Sequence, residues 1–505
     1  MQPNPNPSDS FVLRGGHVID PVQSIDGIAD VFVAGGRIAG AGQFTPPAGT
    51  RIIDVAGQYV TPGWIDIHVH VYGTLGFADP DSIGVCQGVT TYVEAGGPGI
   101  DTLDEFLALL HGRTKTSLFV GPYLRPMGII GLNFLEGDPR SIGDVPVARW
   151  IDFMGEHPGL VRYMKIGAFG RSGSGPLKIA KGLAQTLGVP MYVHIGEHQM
   201  QEGKDSSYDI LHIAEAGDII THAYHNNNTR LLDRAGKVLP AVRAAQDRGV
   251  LFDIGFGGYN FNWDVAEKGY AQGFVPNIIS SDLQQFNVIG PTFSLAHVLG
   301  AFLHLSMSLS EVIDRVTAAP ARALSFAQTC GTLATGREAD ITVFRLERGA
   351  FPVADTSGNE CTTATRIVPT ITFKGGERID ADMLRCADEH NWIMQIAEDR
   401  PPAAAASLTA KQRDFLDRLA DSLEGFQWTP PSAERFDLDR AIELQRRFHA
   451  ARAQQGLELR PALLAVYGAI LERVFPVQIG LFLLRLDRRF VIERLRRVAR
   501  SPVAA

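Results

Sequence analysis

The chain has 505 residues, 45% hydrophobic and 20% charged, so it has material for a large domain with a full core plus something smaller. Its formal net charge of −8 provides no basic field for nucleic acid. Four scattered cysteines, Cys86, Cys330, Cys361 and Cys386, show no CxxC spacing, which argues against a disulfide framework and against a thiolate metal site.

The opening residues, MQPNPNPSDS, have neither a basic nor an apolar stretch, so no signal peptide is expected. No apolar run reaches the roughly 18 residues of a spanning helix. The expected setting is reduced and cytoplasmic. From Phe11 to about Val60, short strands broken by Gly pairs (FVLRGGHVID, DVFVAGGRIAGAG, RIIDVAGQYV) predict a small antiparallel sheet. From Thr61 the pattern changes to eight strand candidates: GWIDIHVHV, GVTTYVEAG, SLFVGPYL, LVRYMKIGA, VPMYVHIG, DIITHAY, GVLFDIGF and PNIISSD. Segments of helical periodicity such as LDEFLALLHGR and KIAKGLAQTLG lie between them. The spacing is about 31 residues per unit, which predicts a (β/α)8 barrel over 61–330.

The short-strand style returns over 331–380 (GTLATGREADITVF, RIVPTITFKGGERI). The expected α/β architecture is therefore a (β/α)8 TIM barrel inserted into a small β-sandwich built from residues 1–60 and 331–380. After the linker RPPAAAAS, residues 400–505 read as amphipathic helices ending in an Arg-rich segment. They are expected to form a helical extension packed on the barrel or on a second subunit, which allows a homo-oligomer. Acidic Asp487 and Glu493 interrupt the Arg cluster and argue against a membrane-surface helix.

The chemistry concentrates at the ends of the strand candidates. In Asp66-Ile67-His68-Val69-His70 the period of two puts both imidazoles on one face, half a chelate on a buried strand. Asp66 lies one step deeper and reads as a supporting carboxylate. Lys165 closes LVRYMKIGA, where a bare ammonium is costly. One solution is a carbamate made with carbon dioxide, a two-oxygen bridge between metals; the other is a salt bridge at the rim. His194 and His222 end consecutive strands and read as ligands to a second metal. Asp282 ends PNIISSD, where it could bind one metal and shuttle a proton, or simply cap the next turn. Two divalent cations against carbamate, Asp282 and hydroxide leave a residual positive charge, suited to a tetrahedral anion. Loop histidines His198 and His225 could touch substrate. Arg125 and Arg171 are candidate anion contacts, and Phe256, Tyr92 and Tyr192 suggest a partly aromatic pocket. The register leaves open whether Tyr192 faces the helices instead.

This constellation resembles the amidohydrolase superfamily, in the binuclear subgroup bridged by a carboxylated lysine. That family's strand-end pattern falls here on His68, His70, Lys165, His194, His222 and Asp282. The likeness covers residues 11 to 379 and is nearest to the dihydroorotase-like amidohydrolase/deacetylase group, on GHVIDP, GVTTYVEAGGPGIDT, GPLKIAKGLA and ISSD followed by NVIGPTFSLAHVL. It implies an N6-carboxylated Lys165. Two departures stand out: Lys165-Ile166-Gly167 replaces the group's Lys-Ala-Arg, and Gly255-Phe256-Gly257 replaces its Gly-His-Gly.

The resulting expectation is a binuclear metallohydrolase, with zinc the default metal, that cleaves an N-acyl or O-acyl bond of a small molecule by attack of metal-bound hydroxide. A cyclic amide such as a hydantoin, imide or dihydroorotate is the alternative. A non-catalytic scaffold is the third reading, which the retention of all six ligand positions disfavours.

Overall fold

The computed structural model describes residues 10–72, 79–110, 112–129, 138–139, 141–167, 174–196, 207–227, 229–284, 287–288, 291–382, 401–428, 438–470, 483–484 and 486–501. Arg171, His198 and Cys386 lie outside the described residues.

The two flanks share one sheet. Strands β1 (Phe11–Asp20), β2 (Ile25–Ala34), β3 (Arg37–Gly42), β4 (Arg51–Asp54) and β5 (Tyr59–Pro62) come from the N-terminal side. Strands β13 (Ile341–Ala354), β14 (Glu360–Lys374) and β15 (Glu377–Asp380) come from beyond the parallel strands. The order is β15-β14-β13-β5-β1-β2-β3, with β4 beside β1. The join is antiparallel, Ile341 opposite Pro62 and Phe344 opposite Tyr59. Phe11, Leu13, Val31, Val343 and Phe373 make a core of their own there. The β13–β14 hairpin is longer than its two short sequence patterns suggested, because register shifts at Val343/Phe344 and Arg348/Phe351 carry the pairing past Pro369 and the Gly349-Ala350 pair.

Between the flanks run seven parallel strands: β6 (Trp64–Val69), β7 (Val89–Glu94), β8 (Ser117–Val120), β9 (Met164–Gly167), β10 (Met191–His194), β11 (Ile219–Thr221) and β12 (Leu251–Phe252). They form a set of three and a set of four. Parallel bridges Val120–Val161 and Tyr123–Lys165 join β8 to β9. Asp253–Ile278 continues the pairing past β12, and Val69–Leu283 returns it to β6. The helices between them include α1 (Leu103–Leu110), α2 (Val147–Glu156), α3 (Gly175–Leu187), α4 (Ser207–Ile213), α5 (Pro240–Asp247), α6 (Trp263–Ala271) and α7 (Leu295–His304).

The eighth strand candidate, PNIISSD, is held by these single bridges rather than as a regular strand. Its backbone still bonds on both sides, accepting from the amides of Ile254, Phe256 and Gly257 and donating from Asp282 N to His68 O. Side chains add to this, Ser280 Oγ donating to Asp253 and Ser281 Oγ to Asp66, and Asp282 turns to φ 50. Alternation along β6 is also imperfect. A register irregularity lies between Asp66 and Val69; Ile65 and Ile67 pack with Tyr163 and Tyr192, whereas Val69 joins the main core.

The C-terminal region is helical: Ala410–Glu424, Leu438–Gln454, Leu459–Ile470 and Arg488–Ala499. A Thr409/Gln412 capping box starts the first of these. Phe415, Leu419, Trp428, Phe448, Tyr467 and Leu495 share a core, and Ile129, from the segment after β8, packs against it. The buried Arg413 guanidinium ties it together by donating to the carbonyls of Leu408, Val498 and Ala405. No described helix is long and apolar enough to cross a membrane.

Candidate metal centre

Six side chains from five separate stretches converge at the ends of the parallel strands. His68 Nε2 lies 3.1 Å from Lys165 Nζ and 3.4 Å from Asp282 Oδ1. His70 Nε2 is 3.2 Å from the same oxygen. The His222 ring stands 5.2 Å from that of His68, and its Nε2 meets His194 Nδ1 at 2.7 Å. His194 is half-buried and the other five are buried, so His194 marks the solvent side. Ligand atoms of His68, His222 and Asp282 fall within 4.8 Å of one another.

Hydrogen bonding fixes the tautomers. A carbonyl only accepts, so the 2.7 Å contact of His222 Nδ1 with Gly255 O puts the proton on Nδ1. Tyr192 has one proton, which it gives to Asp253 Oδ2 at 2.6 Å. Its contact with His68 Nδ1 at 3.0 Å must then be donated by the imidazole. Both rings therefore turn a bare Nε2 lone pair inward. His68 Nε2 and Asp282 Oδ1 are two acceptors facing each other in a buried space, which is the arrangement a cation requires.

Electrostatics agree. Burial, then the nearby Lys165 amine, holds the His68 pKa well below the usual range. Burial, then His194, does the same to His222. Burial brings Lys165 down to about 7, so near neutral pH it is available as a free amine. Burial would also lower His70, but the carboxylates of Asp282 and Glu94 outweigh it and raise the value.

Further residues support these groups; of them sequence reasoning singles out Asp66 as a supporting carboxylate and misses the others. Asp253 Oδ2 accepts from Tyr192, Thr221 and Ser280, which makes it the anchor behind His68. Glu94 ends β7, accepts from the backbone of Val71, Tyr72 and Gly97, and lies 3.4 Å from His70 Nδ1. Each is an acid at the end of a strand-like run, the signal that singled out Asp282. Asn260 and Gln284 donate to the two oxygens of Asp282, at 3.2 and 2.8 Å. Asp66 accepts from Ser281 and from the amide of His68; burial raises its pKa to about 7.

Gly255 and Gly257 both have positive φ, and a Cβ there would lie 2.7 Å from His222 Nδ1 and 2.3 Å from Asp282 Oδ2. The Gly-Phe-Gly segment is thus small where it passes these two side chains. Phe256 between them is fully buried and stacks on Phe261 at 4.4 Å. Tyr192 faces Lys165, His68 and Asp253 rather than the helices. Tyr92 is buried in the main core. Arg125 is buried and bonded to Asp138 Oδ1 at 3.0 Å. His225, also buried, accepts from the Asn227 amide at 3.0 Å.

Tyr192→Phe should keep the ring stacked on Tyr163, 4.4 Å away, while removing the hydroxyl between His68 and Asp253. Metal affinity, read by competition with a chromogenic chelator, is expected to fall by about 10–100-fold. Unchanged affinity would remove Tyr192 from the support of the centre.

No protein-family model matches the chain. A deacetylase of Enterococcus faecalis is 32% identical over 332 residues, 64% of this chain and 87% of that protein. A deacetylase of Agrobacterium fabrum is 29% identical over 361 residues, 70% of this chain and 87% of that protein. The crystal structure of an adenine deaminase matches with 29% identity and a TM-score of 0.66, covering 73% of this chain and 99% of that one. That of a dihydroorotase matches with 27% identity and a TM-score of 0.64, covering 74% and 98%. The chain belongs to the amidohydrolase superfamily, in its dihydroorotase-like group. It is a hydrolytic enzyme.

Proposed function

We propose that His68, His70, Lys165, His194, His222 and Asp282 hold two divalent cations, zinc by default, with Lys165 as its N6-carbamate. Residues 61–330 are then a (β/α)8 barrel, the flanks 1–60 and 331–380 its β-sandwich, and 400–505 a helical extension. The observation that carries this reading is the pair of tautomer-locked imidazoles turned inward upon a carboxylate and an amine whose pKa burial lowers to about 7. When bound, the cations supply Lewis acidity, making water a better acid and polarising a carbonyl.

The remaining work falls to the chain itself. Asp282, oriented by Asn260 and Gln284, accepts the proton of the attacking water and returns it to the leaving group. Tyr192, Thr221 and Asp253 keep His68 in one tautomer. The substrate is a small molecule with a linear amide or ester, an N-acyl or O-acyl group, hydrolysed in the cytoplasm; the two deacetylases support this class. A cyclic amide is the second reading, favoured by the dihydroorotase structure.

The test is a panel assayed on zinc- and bicarbonate-loaded enzyme: N-acyl amino acids, acylated hydroxy acids, hydantoins, imides and dihydroorotate. Turnover confined to linear acyl compounds is expected. Turnover confined to the rings would reverse the order of the two readings.

A further inference from the structure

A second group of metal-ligating side chains lies outside this centre. Glu267 is on α6, His304 is the last residue of α7, and Cys361 is the second residue of β14. One ligand atom from each lies within 4.8 Å of the other two. We infer that these three residues bind a zinc-class divalent cation that clasps the β13–β14 hairpin to helices α6 and α7.

The surroundings hold the three elements in place. Trp263 Nε1 donates to Val353 O at 3.0 Å, Asn262 Nδ2 to Asp355 Oδ2 at 3.1 Å, and the Thr356 amide to Phe261 O at 3.1 Å. The end of the hairpin is thus seated on the start of α6 before any metal binds. The Trp263 ring meets that of His304 edge-on at 5.4 Å. Cys361 is half-buried against the main core, while Glu267 and His304 are exposed, so solvent can complete the coordination.

One sulfur, one imidazole nitrogen and one carboxylate oxygen are borderline-soft donors. They favour zinc or cobalt over magnesium or calcium. Without a cation the sulfur is an ordinary thiol, disfavoured as an anion by burial and by the charges of Glu267 and Asp355. Cation binding forms the metal–sulfur bond and releases the thiol proton to solvent. The absence of CxxC spacing does not bear on this site, since only one of its ligands is sulfur and all three come from distant segments.

Sulfur also separates this site from the strand-end centre, whose convergent residues offer only nitrogen and oxygen. Full-length protein is stripped of metal and titrated with cobalt(II). Wild type is expected to develop a thiolate-to-cobalt charge-transfer band, and Cys361→Ser to lose both the band and one bound metal per chain while its turnover stays unchanged. His304→Ala keeps the thiol and should abolish the protection that zinc gives Cys361 against alkylation, located by peptide mass. No band in wild type overturns the site, as does the same band and metal count in Cys361→Ser. Equal alkylation of wild-type Cys361 with and without zinc does so too.

Discussion

Exchange of Asp282 for Asn is expected to lower kcat/KM on the best acyl substrate by about 10²–10⁴-fold, the range of a positioned acid–base group. The asparagine preserves size and an oxygen that can still accept from Gln284, 2.8 Å away. It removes the negative charge shared with His68 and His70 at 3.4 and 3.2 Å, and with it the ability to take a proton from water. Metal content is measured beside turnover. A fall in kcat at full occupancy reports lost proton transfer, and a parallel fall in both reports lost binding. Undiminished turnover at full metal content would sink the role given to Asp282.

Loss of Lys165 should be comparably severe, and its rescue is the sharper test. Lys165→Ala is expected to lose bound metal and about 10²-fold or more of activity. Short carboxylates such as propionate should restore part of both if they return two oxygens to the space of the proposed carbamate. The wild-type amine adds a pH signature. Burial lowers its pKa from 10.5 to about 7, so it is neutral above that point and cationic below it. Only the neutral amine attacks carbon dioxide. Reconstitution of stripped enzyme with zinc and bicarbonate should therefore be fast above pH 7 and fail progressively below it. The linkage sign agrees. Between about 7 and 10.5 the unfolded chain holds a proton on this lysine that the folded chain lacks, so the apo-protein's stability contribution from Lys165 rises with pH across that window. Reconstitution equally fast at pH 5.5, or carboxylates without effect on the alanine variant, would argue that Lys165 is a structural amine.

The surroundings of single residues come from contacts that lie far apart in the chain. Tyr192 could have faced either way from its spacing alone; its bonds to His68 and Asp253 span 124 and 61 residues. Arg125 reads equally as a rim arginine or an anion contact, and the structure buries it against Asp138. Glu94 and Asp253 carry the same strand-end signal as Asp282, but nothing local says that their partners are amides and hydroxyls in the molecular interior.

Which chemistry-bearing residues close strand-like runs can be read directly from the order of residues, because the period of two and the spacing of the units are local. The same order shows that two flanks of similar style surround the parallel strands, and that helices follow residue 400. The folded chain adds what no local pattern carries: the flanks share one eight-stranded sheet, serine hydroxyls reinforce the backbone bonds of the eighth segment, and His68 and His222 turn bare Nε2 atoms inward. The reason is physical. A strand's pattern is a local property of consecutive residues, whereas a tautomer, a lowered amine pKa or a pair of acceptors facing each other exists only once distant segments have been buried together.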